Sequence, residues 1–444
     1  MDAIVASRNA ILQDIRTYER NITDLKGRLN TLTPIGRLPT ELLSEVLVAT
    51  AHACYERDVA RLYRSARLSC IDLTLVCRQW HAVAFKTPRF WSYIYVNKFS
   101  IFAKLVQLSM NAPLVVDLRL SRDEHRFSST AIPATEIAQL MNRVRSITVH
   151  GDVSYLEALF QDPNTSPMLL EHLSLSTDGG RPSNAVPSSQ SLFTTIGPTP
   201  RLHSVHLTRV PFLWSDPVFA ARLTSLSIRD NMRLPNPLPK TDHGPMEGFL
   251  AMLESVSPTL GSLTLEEAFP SLSSPTTEPS PVAHPFPFPS LRSLVLIGET
   301  NVCAQFLNHI STQRIEEIHI SAHGKPGAGV LTRTVSELLR SRPLLSIALR
   351  REESDWRNPG LTIEGWRSLK ITSSAPVKIT VFGDVIGDAK SSPLHLTHLT
   401  LNAAPTLFSH VQSLRTFGLR PTTPGWTLLF SCATNIRTLA VESE

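Results

Sequence analysis

Apolar residues recur every seven positions along the first part of the chain. One series consists of Ile4, Ile11, Tyr18, Leu25 and Leu32, and a second, four residues later, consists of Ile15, Ile22 and Leu29. This spacing is typical of one continuous helix with a coiled-coil seam. Thr33-Pro34 should end that helix, because proline disfavours helical geometry in the residue before it. The pattern leaves two alternatives open: the seam packs back on the rest of the chain, or two copies self-associate through residues 4–32.

Two further stretches carry apolar residues at helical spacing. The first starts at Leu38-Pro39, where proline in the first helical turn loses no hydrogen bond. Its apolar positions are Leu42, Leu43, Val46 and Leu47, and those of a second helix predicted over residues 71–85 are Leu75, Val76, Trp80 and Val83. Two short amphipathic helices cannot bury both faces internally, and an uncovered apolar face usually marks a docking site. The alternative is that these residues form the core of an ordinary helical bundle.

Three motifs follow one another in this region. They are Leu38-Pro39-Thr40-Glu41-Leu42-Leu43, Val76-Cys77-Arg78-Gln79-Trp80 and Pro88-Arg89-Phe90-Trp91. In this order they resemble an F-box, and the chain looks like the large class of fungal F-box proteins. The resemblance implies that residues 34–96 dock a Skp-type adaptor and, through it, a cullin-type ubiquitin ligase. The adaptor contacts that it implies are Leu38, Pro39, Leu42, Leu43, Val46, Leu47, Leu75, Val76 and Trp80. Phe90 and Trp91 are expected to lock the box onto the following chain.

The segment between the two predicted helices is longer than a minimal F-box requires. Residues 51–69 are therefore expected to form a helix of their own. Its apolar edge would consist of Tyr55, Val59 and Leu62, and its basic face of Arg57, Arg61 and Arg64. That basic face is either solvated or contacts an acidic surface of the partner.

A frame of the form Leu-x-x-Leu-x-Leu, with Ile, Val, Phe or Trp also accepted, recurs in the rest of the chain. Its instances begin at Val144, Leu170, Leu202, Leu223, Leu260, Leu291, Ile315, Leu344, Trp366, Leu396, Leu414 and Ile436. Their mean spacing of about 27 residues lies in the range of leucine-rich repeats. Positions four and six of each frame share one side of a short strand and should form the core. The Asn or Cys expected after each frame is generally missing, so an irregular solenoid is predicted.

Positions three and five of the frames are expected to face solvent, and most of them are small and hydroxylated. Such a surface offers hydrogen bonds but few of the Trp, Tyr and Arg side chains that dominate binding energy. Loop tryptophans are therefore predicted to anchor a target protein, the alternative being that each packs a loop against the repeats. These tryptophans are Trp214, Trp356 and Trp426. Further candidate target contacts, on the polar surface itself, are His172, His206, His319 and His398. No metal site is predicted, because cysteines and carboxylates at ligand spacing are lacking.

Composition and charge narrow the function classes. The net charge of +5 is mild for 444 residues, and no basic run interleaved with aromatics predicts nucleic-acid binding. The apolar runs are shorter than the ~18 residues that span a bilayer, and the N-terminus lacks the pattern of a secretory signal. No membrane partner and a cytoplasmic or nuclear location are therefore expected. Five cysteines without a Cys-x-x-Cys pair favour reduced thiols over disulfides or zinc.

Enzyme signatures are lacking, since no His-Glu-x-x-His, Gly-x-Ser-x-Gly or phosphate-binding glycine loop occurs. The sequence thus predicts an α+β or α/β repeat protein with four parts: a coiled-coil-like helix (1–33), an F-box (34–96), a connecting segment (97–143) and a degenerate leucine-rich-repeat domain (144–444). The expected function is that of a receptor subunit without catalytic residues or cofactors, which captures a target protein that the sequence does not identify. The alternatives are an F-box scaffold outside a cullin ligase and a hydrolase hidden in the repeats.

Overall fold

The structure is a computed structural model with two compact units, Met1–Gly151 and Asp152–Glu444. It describes residues 2–60, 68–95, 99–120, 132–160, 167–177, 191–193, 199–220, 222–230, 246–270, 286–311, 314–323, 331, 334–337, 339, 343–352, 360–368, 375–382, 405–417 and 423–442. Both units mix helices and strands, and the second is built on a large, mostly parallel sheet. None of the helices among the described residues combines the length and apolar character that crossing a bilayer requires.

The first unit is mainly helical at its start. Its helices are α1 (Asp2–Thr31), α2 (Thr40–Ala60), α3 (Ile71–Thr74), α4 (Arg78–Phe85), α5 (Phe99–Ser109) and α6 (Ala134–Ala138). Strands β1 (Tyr93–Ile94), β2 (Leu114–Arg119) and β3 (Val144–Gly151) pair in parallel and in chain order. The predicted connecting segment, residues 97–143, thus contains α5, β2 and α6. β3, the first predicted repeat strand, belongs to the first unit.

Two helix predictions in this unit are wrong. Residues 51–60 do not start a new helix, because α2 runs without a break to Ala60. Residues 71–85 do not form one helix either. Cys77 has extended backbone angles of φ −159° and ψ 170°, so it separates α3 from α4. Residues 61–67, including Leu62, Arg61 and Arg64 of the predicted helix, lie outside the described residues.

The second unit contains eleven strands of one sheet among its described residues. They are β4 (His172–Thr177), β5 (Ser204–Thr208), β6 (Ser225–Arg229), β7 (Ser262–Glu266), β9 (Ser293–Glu299), β11 (Glu317–His323), β12 (Ser346–Glu352), β13 (Gly360–Trp366), β14 (Val377–Phe382), β15 (Ser413–Phe417) and β16 (Thr438–Glu442). Strands β8 (Phe286–Pro287) and β10 (Ile310–Ser311) form a separate parallel pair. From β4 to β11 the strands of the large sheet pair in chain order, and all of these pairs are parallel.

After β11 the strands no longer pair in chain order, and one of them is antiparallel to its neighbours. β14 pairs with β11, β13 lies antiparallel between β14 and β12, and β15 and β16 complete the order. Two predicted frames are therefore wrong. Trp366 ends the antiparallel β13 and does not open a parallel strand. Leu414 is buried and pairs with the buried Ile347, so this frame begins three residues earlier, at Val411. In the last frame, Leu439 and Val441 are exposed and do not form part of the core. The frame at Leu396 lies outside the described residues.

Two rows of apolar side chains cross the parallel strands and form the core of the second unit. One row contains Leu173, Val205, Leu226, Leu263, Leu294 and Ile318, and the other contains Leu175, Leu207, Ile228, Leu265, Leu296 and Ile320, all of them buried. They are positions four and six of the frames, as the alternation of side chains along a strand predicts. Helices α7 (Val153–Phe160), α8 (Met246–Val256), α9 (Thr300–His309), α10 (Pro405–Phe408) and α11 (Thr423–Cys432) complete the unit.

One hydrogen-bond arrangement repeats where successive parallel strands begin. The carbonyl of Glu171 accepts the N–H groups of His203 and Ser204, at 3.1 and 3.2 Å. The carbonyl of His203 in turn accepts those of Thr224 and Ser225, at 2.8 and 3.1 Å. Residues at position two of consecutive frames are therefore held side by side at the start of their strands.

Candidate protein-docking surface

Apolar side chains are exposed on the helical region of the first unit. Among the described residues between 34 and 96 they are Ile35, Leu42, Val46, Ile71, Leu75, Val76 and Phe85. Four of them, Leu42, Val46, Leu75 and Val76, are among the predicted adaptor contacts. Pro39 is also exposed, while Leu38 and Trp80 are half-buried. Exposed apolar side chains concentrated in one region are a feature of interaction surfaces.

The predicted contacts at Leu43 and Leu47 are wrong. Both side chains are 0% exposed, whereas Leu42 next to them is 55% exposed. Residues 43 and 47 lie one helical turn apart on the side of α2 that packs against α4 and the 3₁₀ turn Pro88–Trp91. They are core residues that hold α2 in place, and they do not reach a partner.

The exposure of Leu75 and Val76 follows from the break between α3 and α4. Leu75 is the C-terminal cap of α3, where its N–H bonds to the carbonyl of Asp72 at 3.1 Å. Its side chain is 71% exposed and that of Val76 is 57% exposed. In an unbroken helix the two side chains would lie along the side of a packed helix. The turn instead presents both side chains to solvent.

Phe90 and Trp91 fix the base of this region. Both are buried, and the indole Nε1–H of Trp91 donates to the carbonyl of Ala84 at the end of α4, at 2.9 Å. The 3₁₀ turn that carries them packs against α2, α4 and α5. The expectation that they lock the helices onto the following chain is therefore confirmed.

The far end of α2 is tied down by Asp58. Its carboxylate accepts the backbone N–H of Ser69 at 3.1 Å, the hydroxyl of Ser69 at 2.8 Å and the hydroxyl of Tyr95 at 3.0 Å. Burial raises the pKa of the Tyr95 hydroxyl above its ordinary value, so this group stays a donor. Burial likewise raises the pKa of the nearby Cys70 thiol to about 12. These bonds fix the start of the chain that leads to α3.

The seam of α1 is exposed along its whole length. Its eight heptad residues, Ile4, Ile11, Ile15, Tyr18, Ile22, Leu25, Leu29 and Leu32, are between 46% and 76% exposed. The alternative that this seam packs back on the chain is therefore wrong for the described residues.

An exposed ion pair between Asp24 and Arg78, at 3.6 Å, links α1 to α4. Such surface pairs contribute ~0–1 kcal/mol.

The tryptophans predicted to anchor a target occupy different environments. Trp214 is 2% exposed and packs with Phe212 and Phe249 at ring distances of 4.9 and 4.7 Å, so its predicted role as an anchor is wrong. Trp426 is half-buried on α11 and stacks on Phe430, with the ring centroids 5.6 Å apart. Trp356 lies outside the described residues. Of the three predicted tryptophans, Trp426 is thus the one that the described residues show partly exposed, with the exposed Phe430 beside it.

The predicted histidines do not meet at one site. His206 and His319 share a row across the sheet, but Ser227, Thr264 and Val295 stand between them. At ~4.8 Å per strand this is a separation of about 19 Å. Burial lowers the pKa of both imidazoles, helped by Arg229 and His172 at His206 and by Lys378 at His319. His398 lies outside the described residues.

His172 lies against a histidine that the sequence analysis did not select. Its ring meets the ring of His203 edge to face, with the centroids 4.4 Å apart and the planes at 90°. Glu171 completes the group, with Oε2 3.9 Å from Nε2 of His203. Sequence spacing gave no signal for this group, because the two histidines belong to different repeats and meet only when the strands pair.

One other group of reactive side chains lies near the ends of β7 and β11. His323 contacts Glu267. Burial raises the pKa of the Cys303 thiol to about 12, and the negative charge of Glu267 adds to this effect. Cys303 is fully buried. A protonated thiol without solvent access is a poor nucleophile. The chemistry that a thiol hydrolase needs is therefore not assembled among these residues.

Comparison of the chain with protein-family models, with curated proteins and with solved structures found no match.

Proposed function

We propose that the protein is a substrate-receptor subunit of a Skp–cullin–F-box ubiquitin ligase. In this proposal residues 34–96 are an F-box that docks the adaptor, and the second unit captures the target protein. The protein supplies no catalytic residue, because ubiquitin transfer belongs to other subunits of such ligases.

The exposure of Leu42, Val46, Leu75 and Val76 carries the proposal. These residues stand at motif positions where the resemblance implies adaptor contacts, and all four are exposed while their neighbours Leu43 and Leu47 are buried. Complete burial of an exposed apolar side chain contributes about 1.5–3 kcal/mol. Because these four are already partly covered, each would contribute a fraction of that value when a partner covers it.

The second unit supports the target-binding half of the proposal. Its chain-ordered parallel strands, β4 to β11, and its buried rows at frame positions four and six match the pattern of leucine-rich repeats. Between the rows, Ser174, His206 and Thr264 are partly exposed and can form hydrogen bonds with a partner, whereas Ser204 and Ser227 are buried. In the proposal the target contacts this polar surface, with Trp426 and Phe430 as an aromatic contact on α11.

Aspartate at both Leu42 and Leu75 tests the docking surface. A carboxylate forced under an apolar partner without a counterion costs at least ~2 kcal/mol, so the double variant should bind a purified Skp-type adaptor at least about thirtyfold more weakly. Calorimetric titration of the full-length protein measures this difference. Met168→Asp is the matched control, because Met168 is an exposed apolar residue of the second unit.

The outcome separates the proposal from its alternatives. Equal adaptor binding by the wild type and the double variant would contradict the docking surface. Adaptor binding without co-purification of a cullin would instead favour an F-box scaffold that acts outside a ligase. The folded state of the double variant is checked by circular dichroism, and both substituted side chains are exposed, so no core packing is lost.

A further inference from the structure

A cluster of three metal-ligating side chains lies where β4 and β5 begin. Glu171, His172 and His203 each offer one ligand atom, and these atoms all lie within 4.8 Å of one another. Glu171 and His203 are half-buried, and His172 is exposed. The cluster lies within the second unit and does not include any predicted adaptor contact.

The backbone holds this cluster together. The carbonyl of Glu171 accepts the N–H of His203 at 3.1 Å and that of Ser204 at 3.2 Å, which places residues 171 and 203 side by side. His172 follows Glu171 in the chain and is in register with Ser204 across the parallel pair. The three side chains therefore start from positions that the sheet itself fixes.

The distances between the donors suit a metal ion after small side-chain rotations. A tetrahedral zinc ion with bonds of ~2.0–2.1 Å holds its ligand atoms about 3.3 Å apart. Nε2 of His203 and Oε2 of Glu171 are 3.9 Å apart, and no pair exceeds 4.8 Å. Rotations about side-chain bonds can close these gaps, and the ring of His172 is exposed.

The donor types select the class of ion. Imidazole nitrogen suits zinc and other divalent transition metals, whereas magnesium and calcium prefer sites made of oxygen atoms. Two imidazoles and one carboxylate are also a known zinc-ligand set, with water or an external ligand at the fourth position. We propose that Glu171, His172 and His203 form a zinc-binding site on the second unit.

Titration of the full-length protein, without a polyhistidine tag, with Zn²⁺ tests this proposal. The wild type should bind one equivalent of Zn²⁺. His172→Ala, His203→Gln and Glu171→Gln should each lower the affinity for this ion at least about tenfold, because each removes a ligand. Mg²⁺ at the same concentration should not bind at this site. His52→Ala is the matched control, because His52 forms an ordinary exposed pair with Glu56, at 3.7 Å.

Two results would overturn the proposal. One is the absence of a Zn²⁺ equivalent in the wild type, and the other is an equivalent whose affinity stays the same in all three ligand variants. The second result would assign the bound zinc to other groups, such as the half-buried thiols of Cys77 and Cys432. His172→Ala changes an exposed side chain, so its effect does not depend on the stability of the fold.

Discussion

Adjacent residues of α2 have opposite environments. Leu42 and Val46 are exposed, and Leu43 and Leu47 are buried. The sequence predicts that all four are apolar residues of one helix, but it does not distinguish them, because apolar side chains occupy both sides of that helix. Packing against α4 and the turn at Pro88–Trp91 determines which of the four side chains are buried. The same limit applies to His203, which becomes a neighbour of Glu171 only through strand pairing.

Alanine at Leu43 and at Leu42 should have different effects on stability. Leu43→Ala leaves a cavity in a filled core and should cost about 2–5 kcal/mol. Leu42→Ala removes an exposed side chain and should change stability by no more than about 0.5 kcal/mol. Amide hydrogen exchange of peptides from α2, followed by mass spectrometry in the full-length protein, measures both. Equal loss of protection in the two variants would contradict the assignment of Leu43 to the core.

At the scale of elements, the repeated frame predicted strands well where chain order and pairing order agree. From Leu170 to Ile315 each frame opens a parallel strand, because alternation of buried and polar positions fixes which side chains face the core. The frames at Trp366 and Leu414 failed. Alternation is the same for parallel and antiparallel strands, so the pattern could not reveal that β13 reverses direction or which leucine begins a frame.

Helix α1 was predicted with nearly its observed bounds, and its exposed seam leads to a prediction about self-association. We expect two copies of the chain to pair through this seam, since eight apolar residues at heptad spacing are a surface that another such helix fits. Asp14 and Glu19 flank the seam, and a parallel pair would bring Asp14 of one copy close to Glu19 of the other, which are like charges. An antiparallel pair brings Asp14 near Arg28 of the other copy, and opposite charges at flanking positions favour that orientation.

Ile22→Asp should convert the dimer to a monomer, because it places a carboxylate in the middle of the seam. Analytical ultracentrifugation over a range of concentrations measures the change, and circular dichroism checks that the helix remains. Arg20→Asp is the control, since Arg20 lies on the side of α1 away from the seam. A wild type that stays monomeric at all concentrations would show that the seam does not pair two copies.

At the scale of the whole molecule, the candidate docking residues belong to the first compact unit, and strands β4 to β16 belong to the second. The second unit owes its stability to side chains stacked from strand to strand, since each parallel strand is too short to bury its own apolar side. In arrays of this kind each repeat depends mainly on its neighbours. A destabilising substitution in a central strand should therefore lower the stability of more strands than one in an edge strand.

Leu265 and Leu439 provide a test of this dependence. Leu265 is fully buried in β7, which has a paired strand on each side, whereas Leu439 is exposed on the edge strand β16. Leu265→Ala should cost about 2–5 kcal/mol and lower hydrogen-exchange protection in β6 and β9 as well as β7. Leu439→Ala should alter only β16. If loss of protection in the Leu265 variant stayed within β7, the strands would be stabilised independently, and the nearest-neighbour description of this unit would not hold.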